Sequence, residues 1–155
     1  MKRAILVAMG FLPMIPGFII NRQMMTEWTR QIPTGMLTRV GLAILLMWFA
    51  IGWMSDRLVK SRGEALLFLN VGAALSLVSY LIHDLVIGNF FTGILGLLTQ
   101  WFYLPMFFLT AHSLSVLSIG GASEIAAASF ALLVMVGCLG SKLSPSFRGT
   151  SLLSK

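Results

Sequence analysis

The sequence predicts an all-α fold, a polytopic bundle of transmembrane helices. Hydrophobic residues make up 57% of the 155-residue chain, and charged residues make up only 10%. A soluble domain carries roughly 25% charged residues, because water must wet its surface. No Asp, Glu, Lys or Arg occurs between Glu64 and Asp84, or between Asp84 and Glu124. A helix needs about 20 apolar residues to cross ~30 Å of hydrocarbon, and these stretches supply them.

Five apolar segments carry this pattern, and residues 1–140 are expected to form one transmembrane domain. The segments cover residues 4–20, 36–55, 65–87, 90–117 and 122–140. Residues 141–155 are predicted to be a flexible polar tail. Pro13 and Pro16 interrupt the first segment, because proline lacks an N–H and crowds the preceding turn. That segment is therefore a kinked span, a re-entrant element or an interfacial helix.

The distribution of Lys and Arg predicts the number of spans, since these residues are enriched on the cytoplasmic side. Five spans divide them five against six, whereas four spans with a non-crossing first segment divide them eight against three. Six spans, with segment four split near Thr99 and Gln100, also give eight against three but leave one helix of only about 14 residues. We favour four spans with both termini cytoplasmic, and we expect residues 21–39 to form an amphipathic surface segment.

The net charge of +6 follows from the same enrichment of Lys and Arg in loops beside membrane spans. A nucleic-acid partner would need a basic stripe on a soluble face, and this sequence offers no such face. We therefore expect no nucleic acid, and we place the chain in the cell membrane as a multi-pass protein whose main partner is the lipid bilayer. The single cysteine, Cys138, excludes an internal disulfide.

Catalysis is not predicted. The sequence has no H-E-x-x-H, G-x-S-x-G, C-x-x-C or P-loop motif. Its five acidic residues supply no paired carboxylates at a productive spacing for acid–base chemistry. His83 and His112 are expected at different depths, so they do not predict a haem site. We therefore expect a non-enzymatic protein without a cofactor or metal.

Segment four carries the candidate polar site. Gln100 and Tyr103, at positions i and i+3, share a helix face. Pro105 frees the carbonyl of Trp101 from its usual helical hydrogen bond. His112 is an ionisable group, which is costly inside a membrane. Gln100, Tyr103 and His112 are therefore predicted to line a polar cavity, as broken helices do in transporters. The plainer interpretation is a packing kink with hydrogen bonds between helices.

Small residues recur at helical spacing in two other segments. Gly72 and Ser76 are four residues apart, and Ser123, Ala127 and Ala131 follow the pattern i, i+4, i+8. Small residues at this spacing let helix backbones approach closely in a membrane. Both sets are therefore predicted to be helix-packing faces.

Two functional hypotheses fit these observations. The first is a non-enzymatic transport or solute-binding membrane subunit, with a small solute held in the polar cavity of segment four. The second is an accessory or scaffolding subunit of a larger membrane complex, in which a protein partner or a second copy packs on the small-residue faces. We favour the first hypothesis, which rests on the polar cluster of segment four and the proline-broken first segment. The second rests on the small-residue faces, the small soluble fraction and the lack of catalytic motifs.

Overall fold

The protein is an all-α bundle. A computed structural model describes residues 2–26, 33–83, 94–115 and 121–144, and every regular element in these ranges is helical. The helices are α1 (Lys2–Met9), α2 (Met14–Thr26), α3 (Thr34–Met54), α4 (Arg62–Ile82), α5 (Ile94–Ser115) and α6 (Ala122–Leu143). The predicted fold class is thereby confirmed for this part of the chain.

Four of the described elements are long and apolar enough to span a membrane. They are Lys2–Thr26, Gly35–Met54, Arg62–Ile82 and Ser123–Leu143. These helices fit a multi-pass membrane protein. The helix α5 is as long as the others but is not one of these four described elements, and Thr99, Gln100 and His112 lie among its hydrophobic residues.

The first segment has the dimensions of a span, in contrast to the preferred prediction that it does not cross. Helices α1 and α2 are joined by a tight turn in which Phe11 N donates to Ala8 O and Leu12 N donates to Met9 O. Pro13 lies buried next to this turn. Pro16 falls in the first turn of α2, where an N–H would have no helical acceptor. The two prolines therefore leave the 25-residue element continuous enough to traverse a bilayer.

Two other predicted boundaries are wrong. Residues 21–26 continue α2, and residues 34–39 belong to α3, so they are not a surface loop; residues 27–32 lie outside the described ranges. The start of the predicted tail also belongs to a helix, because α6 extends to Leu143 and Ser141 is buried, with its Oγ donating to Cys138 O at 3.0 Å. The rest of the predicted tail, residues 145–155, is outside the described part of the chain.

Contacts between the long helices fix their directions. Arg3 forms an ion pair with Glu64, so α1 and α4 begin at the same end of the bundle. Gly137, near the end of α6, packs against Trp48 in the second half of α3 and against Leu69 in the first half of α4. The helix α6 therefore ends where α3 ends and where α4 begins. The four long elements alternate in direction through the bundle.

The end at which α1 and α4 begin and α3 and α6 finish is called the basic end, and the other is called the cavity end. Six described Lys or Arg residues lie at the basic end: Lys2, Arg3, Arg57, Lys60, Arg62 and Lys142. Two lie toward the cavity end: Arg22 and Arg39. This excess of Lys and Arg at one end is the pattern expected for four crossings. The first segment, however, supplies one of these crossings in place of segment four.

The helix α5 adds no net crossing to this arrangement. Since α4 ends and α6 begins at the cavity end, the chain between them leaves and returns to the same end. Four residues that α5 contacts, one on each neighbouring helix, lie seven to nine residues from that end of their own helices, a depth of about 10–14 Å. These residues are Gly17 in α2, Gly41 in α3, Ala73 in α4 and Ser129 in α6. The helix therefore crosses its four neighbours at one level.

The helix α5 is also the most enclosed part of the bundle. From Gly96 to Ala111 none of its residues is exposed, and Phe102 and Met106 are fully buried. It continues without a break through Thr99 and Gln100, so the six-span alternative, which was not the favoured one, does not hold. A helix surrounded by other helices can carry polar groups that lipid would penalise, because protein satisfies or shields them.

Close packing between helices depends on glycine at several crossings. A Cβ placed on Gly52 would lie 2.6 Å from the carbonyl oxygen of Gly137, which shows how closely α3 approaches α6. Trp48 fills the neighbouring space and donates from Nε1 to Asn70 Oδ1 at 3.4 Å. Lipid tails are as apolar as leucine, so helices in a membrane associate through such packing and hydrogen bonds. The half of the bundle toward the basic end is therefore closely packed and is called the closed half.

Candidate functional site

A cavity of about 370 Å³ lies between α2, α4, α5 and α6. It occupies the outermost turns at the cavity end: Met24 and Met25 stand in the last turn of α2, and Tyr80 stands two residues before the end of α4. On α6 the deepest residue of the cavity wall is Ser129, which lies seven residues from the start of the helix, or about 10 Å from the cavity end. The described wall of the site therefore lies in the half of the bundle toward the cavity end.

The wall of this cavity is almost entirely apolar. Its apolar part is formed by Met24, Met25, Leu104, Phe107, Phe108, Ile125 and Ala126. Its polar residues are Asn21, Tyr80, Thr99, Gln100, Tyr103 and Ser129. A few polar groups on a mostly hydrophobic wall are typical of sites for small organic ligands rather than for hydrated ions.

Two of the three residues predicted to form a polar cavity lie on this wall. Gln100 and Tyr103 do so because residues three apart on a helix share a face. The hydroxyl of Tyr103 donates to the carbonyl oxygen of Ala73 at 2.7 Å, which ties α5 to α4. Gln100 differs, since its buried Nε2 has no hydrogen-bond partner within the described part of the chain. The amide of Gln100 therefore differs from the hydroxyl of Tyr103, because its nitrogen is enclosed without an acceptor in the described ranges.

Ser129 is engaged with protein on the same wall. Its Oγ lies 2.9 Å from Thr110 Oγ1, and one of these two hydroxyls donates to the other. The hydroxyl that accepts this bond donates its own proton to a carbonyl of its helix, Ile125 O for Ser129 or Met106 O for Thr110. These bonds join α5 to α6 at the floor of the cavity. Ser129 therefore holds the two helices together, and its hydroxyl is already satisfied.

His112 does not join the site, in contrast to its prediction. It is exposed in the last turn of α5 and is not part of the cavity wall. Twelve residues separate it from Gln100, and at 3.6 residues per turn this rotates its side chain by about a third of a turn away from the cavity face. The prediction grouped it with Gln100 by sequence segment alone, and helix periodicity separates the two.

Pro105 frees the carbonyl of Trp101, and the structure shows which residue meets it. Gly17 in α2 lies directly against this oxygen, so closely that any Cβ would overlap it. A Cα–H of glycine can contact a carbonyl oxygen as a weak hydrogen bond. The helix α5 stays continuous through Pro105. The plainer interpretation, a packing feature between helices, describes Pro105 well, and Gly17 is a partner that sequence reasoning overlooked.

The two predicted small-residue faces differ in position. Gly72 is buried against Gly10, where a Cβ would lie 2.7 Å from the Gly10 carbonyl oxygen, and Ser76 is buried one turn further on. Ala127 and Ala131 are instead exposed and Ser123 is only half-buried. The second set therefore faces outward, and α6 packs within the bundle through its adjacent face. That inward face is formed by Ile125, Ala126, Ser129, Leu133 and Gly137.

Comparison with protein-family models, with curated proteins and with solved structures finds no match for this chain.

Proposed function

We propose that this chain is a non-enzymatic membrane protein that binds a small lipophilic solute in the cavity between α2, α4, α5 and α6. The observation that carries the proposal is the 370 Å³ space with an apolar wall and one buried amide, that of Gln100, without a partner in the described ranges. Ligand sites in proteins measure about 300–1,000 Å³ and combine apolar walls with a few placed polar groups. The cavity has both properties.

The position of the cavity favours binding over conduction. Its described wall lies near one end, whereas Trp48 and the contact of Gly52 with Gly137 fill the bundle toward the basic end. A transported solute would need a second arrangement of the helices that opens the basic end. The transport form of the proposal therefore adds a conformational change to the binding step.

Retention of solutes by the full chain in lipid nanodiscs tests the proposal. Native mass spectrometry would measure binding of a panel that runs from small aromatic compounds to isoprenoid and single-chain molecules. Ala126→Leu places a larger side chain in the cavity, and we expect it to weaken retention of a bound solute by roughly tenfold. Ala127→Leu, on the exposed face of the same helix, is the matched control and should bind as the unchanged chain does. Equal retention by both variants for every solute would contradict the proposal.

A second candidate function is an accessory subunit of a membrane complex. The observation that favours it is the outward position of Ala127 and Ala131, where small residues lie on the outer face of α6. Ala127→Leu with Ala131→Leu should then release a co-purifying partner or dissociate a homo-oligomer, as measured by cross-linking in native membranes. Solute retention should stay unchanged in this double variant. An unchanged cross-linking pattern would count against the accessory role.

A further inference from the structure

We infer that the solute is a single-chain amphiphile, an acyl chain with an oxygen acceptor at its head, taken from the leaflet at the cavity end. This inference rests on the proposed solute-binding function and names its ligand class. Three features of the site support it in turn: the size and wall of the cavity, the amide of Gln100, and the place of the cavity in the bilayer.

Size and wall select the chain. A volume of about 370 Å³ lies near the lower limit of ligand sites, which favours one acyl chain over a two-chain phospholipid. Leu104, Phe107 and Phe108 present a continuous apolar surface along α5. Phe107 and Phe108 meet edge to face, with ring centroids 5.7 Å apart. The two rings form an apolar surface that can contact the methylene groups of an acyl chain.

The amide of Gln100 selects the head. A buried donor without an acceptor costs free energy. Because Nε2 has almost no accessible surface, a ligand oxygen reaches it when the Gln100 side chain turns toward the cavity, and the new hydrogen bond then removes this cost. Thr99, its neighbour on the wall, is fully enclosed by the protein, and Tyr103 is already bonded to Ala73. Asn21 supplies a second amide on the wall, five residues before the end of α2 and thus nearer the membrane surface. Gln100 and Asn21 are therefore the two amides of this wall that a carbonyl or hydroxyl head can meet.

The charge asymmetry places the cavity in one leaflet. Lys and Arg accumulate on the cytoplasmic side of membrane proteins, and six described residues of this kind lie at the basic end against two toward the cavity end. The cavity then lies in the extracytoplasmic half of the bilayer. Met24 and Met25, on its wall, are 39% and 60% exposed. Methionine side chains are unbranched and flexible, so they adapt to an entering chain.

The test titrates the full chain in nanodiscs of two-chain phosphatidylcholine with palmitic acid, palmitoyl lysophosphatidylcholine and hexadecane, and measures retention by native mass spectrometry. Palmitic acid and the lysolipid share the chain and an oxygen acceptor, whereas hexadecane has the chain alone. Gln100→Leu should weaken retention of the oxygen-bearing probes about tenfold and leave hexadecane unchanged. The matched control is Gln23→Leu, an exposed glutamine near the same end that is not on the cavity wall.

Each outcome supports or overturns the inference. Gln100-dependent retention of either oxygen-bearing probe supports it, and the one retained identifies a free acid or a lysolipid as the source. If hexadecane binds as tightly as both and Gln100→Leu changes nothing, the ligand class is wrong, although sensitivity to Ala126→Leu would still uphold solute binding. If Ala126→Leu also has no effect on any probe, the proposed function falls with the inference.

The leaflet is tested separately by labelling in intact cells with a membrane-impermeant maleimide, in a Cys138→Ser background. Thr26→Cys at the cavity end should react from outside. Lys60→Cys in the turn at the basic end should react only after permeabilisation. The reverse pattern would place the cavity in the cytoplasmic leaflet and overturn this part of the inference.

Discussion

The two halves of the bundle are packed by different means. Toward the basic end, α3 and α6 approach backbone to backbone at Gly52 and Gly137, and Trp48 fills the space beside them with no exposed surface. Toward the cavity end, α3 and α6 each pack against α5, at Gly41 and Ser129. The same four crossing helices therefore make a dry core in one half and surround a fifth helix in the other.

This difference indicates how a small membrane protein can hold a site without a soluble domain. Helices in lipid gain little by burying apolar surface from one another, so close fit and hydrogen bonds hold them together. The closed half supplies that fit through glycine and Trp48. The other half can then enclose polar residues of α5 and an open volume beside Gln100. Equal changes made in both halves test this difference in packing.

The largest expected effect comes from truncating an aromatic side chain in each half. Trp48→Ala removes a fully buried ring and its bond to Asn70, so it should lower the free energy of unfolding by about 3–5 kcal/mol. Phe107→Ala should cost clearly less, because Phe107 lines an existing cavity and lacks packed atoms on that side. Thermal unfolding of both variants in the same detergent measures the difference. Equal losses would mean that the two halves are packed equally.

The next effect in size concerns the contact between Gly17 and Trp101. Gly17→Ala places a Cβ on the Trp101 carbonyl and should cost about 1–3 kcal/mol, because one of the two backbones must move. Gly63→Ala meets no atom within 4 Å and should instead stabilise the chain, by up to about 1 kcal/mol, since alanine favours a helix. Denaturation midpoints of the two variants should therefore shift in opposite directions. A neutral Gly17→Ala would show that α5 is not held against α2 at this crossing.

The all-α fold and most helix positions follow from the sequence alone, because apolar length and flanking charge are local properties. The five apolar segments match five observed helical elements, with α1 and α2 counted together. The sequence alone does not identify the segment that fails to cross the membrane. Pro13 and Pro16 drew attention to the first segment, yet both occupy positions where a missing N–H costs little. The directions of α4 and α6 determine which segment does not cross, and these directions depend on contacts between residues that are far apart in the sequence.

The candidate site was predictable in part for a similar reason. Gln100 and Tyr103 could be paired because their spacing fixes a shared face. The rest of the wall comes from α2, α4 and α6, and no spacing within one segment indicates that Met24 and Ala126 face the same cavity. The stripe of Ser123, Ala127 and Ala131 shows the opposite case, since a regular small-residue pattern stands on the outer face. Sequence periodicity shows which residues share a helix face, but only the packing of the helices shows what that face contacts.

A smaller effect is expected from the hydrogen bond that joins α5 to α6. Thr110→Val removes a hydroxyl 2.9 Å from Ser129 Oγ and should cost about 0.6 kcal/mol, the mean for such bonds between membrane helices, and no more than about 1.7 kcal/mol, their largest value. Ser113→Ala is the control, since Ser113 is exposed and its Oγ bonds only to Leu109 O of its own helix among the contacts that the structure shows. Unfolding in detergent compares the two. A similar loss in both would remove the hydroxyl pair as a link between α5 and the closed half.

The smallest effect is expected at the surface of the basic end. Arg3→Gln breaks the ion pair with Glu64 and should cost about 0.2–1 kcal/mol, because the Arg3 side chain is 64% exposed and water screens the pair. This loss should shrink further as salt is added. Lys2→Gln removes the same charge from the neighbouring position and serves as the control. A loss of several kcal/mol for Arg3→Gln alone would mean that an ion pair, rather than the packing around Trp48 and Gly137, holds the closed half together.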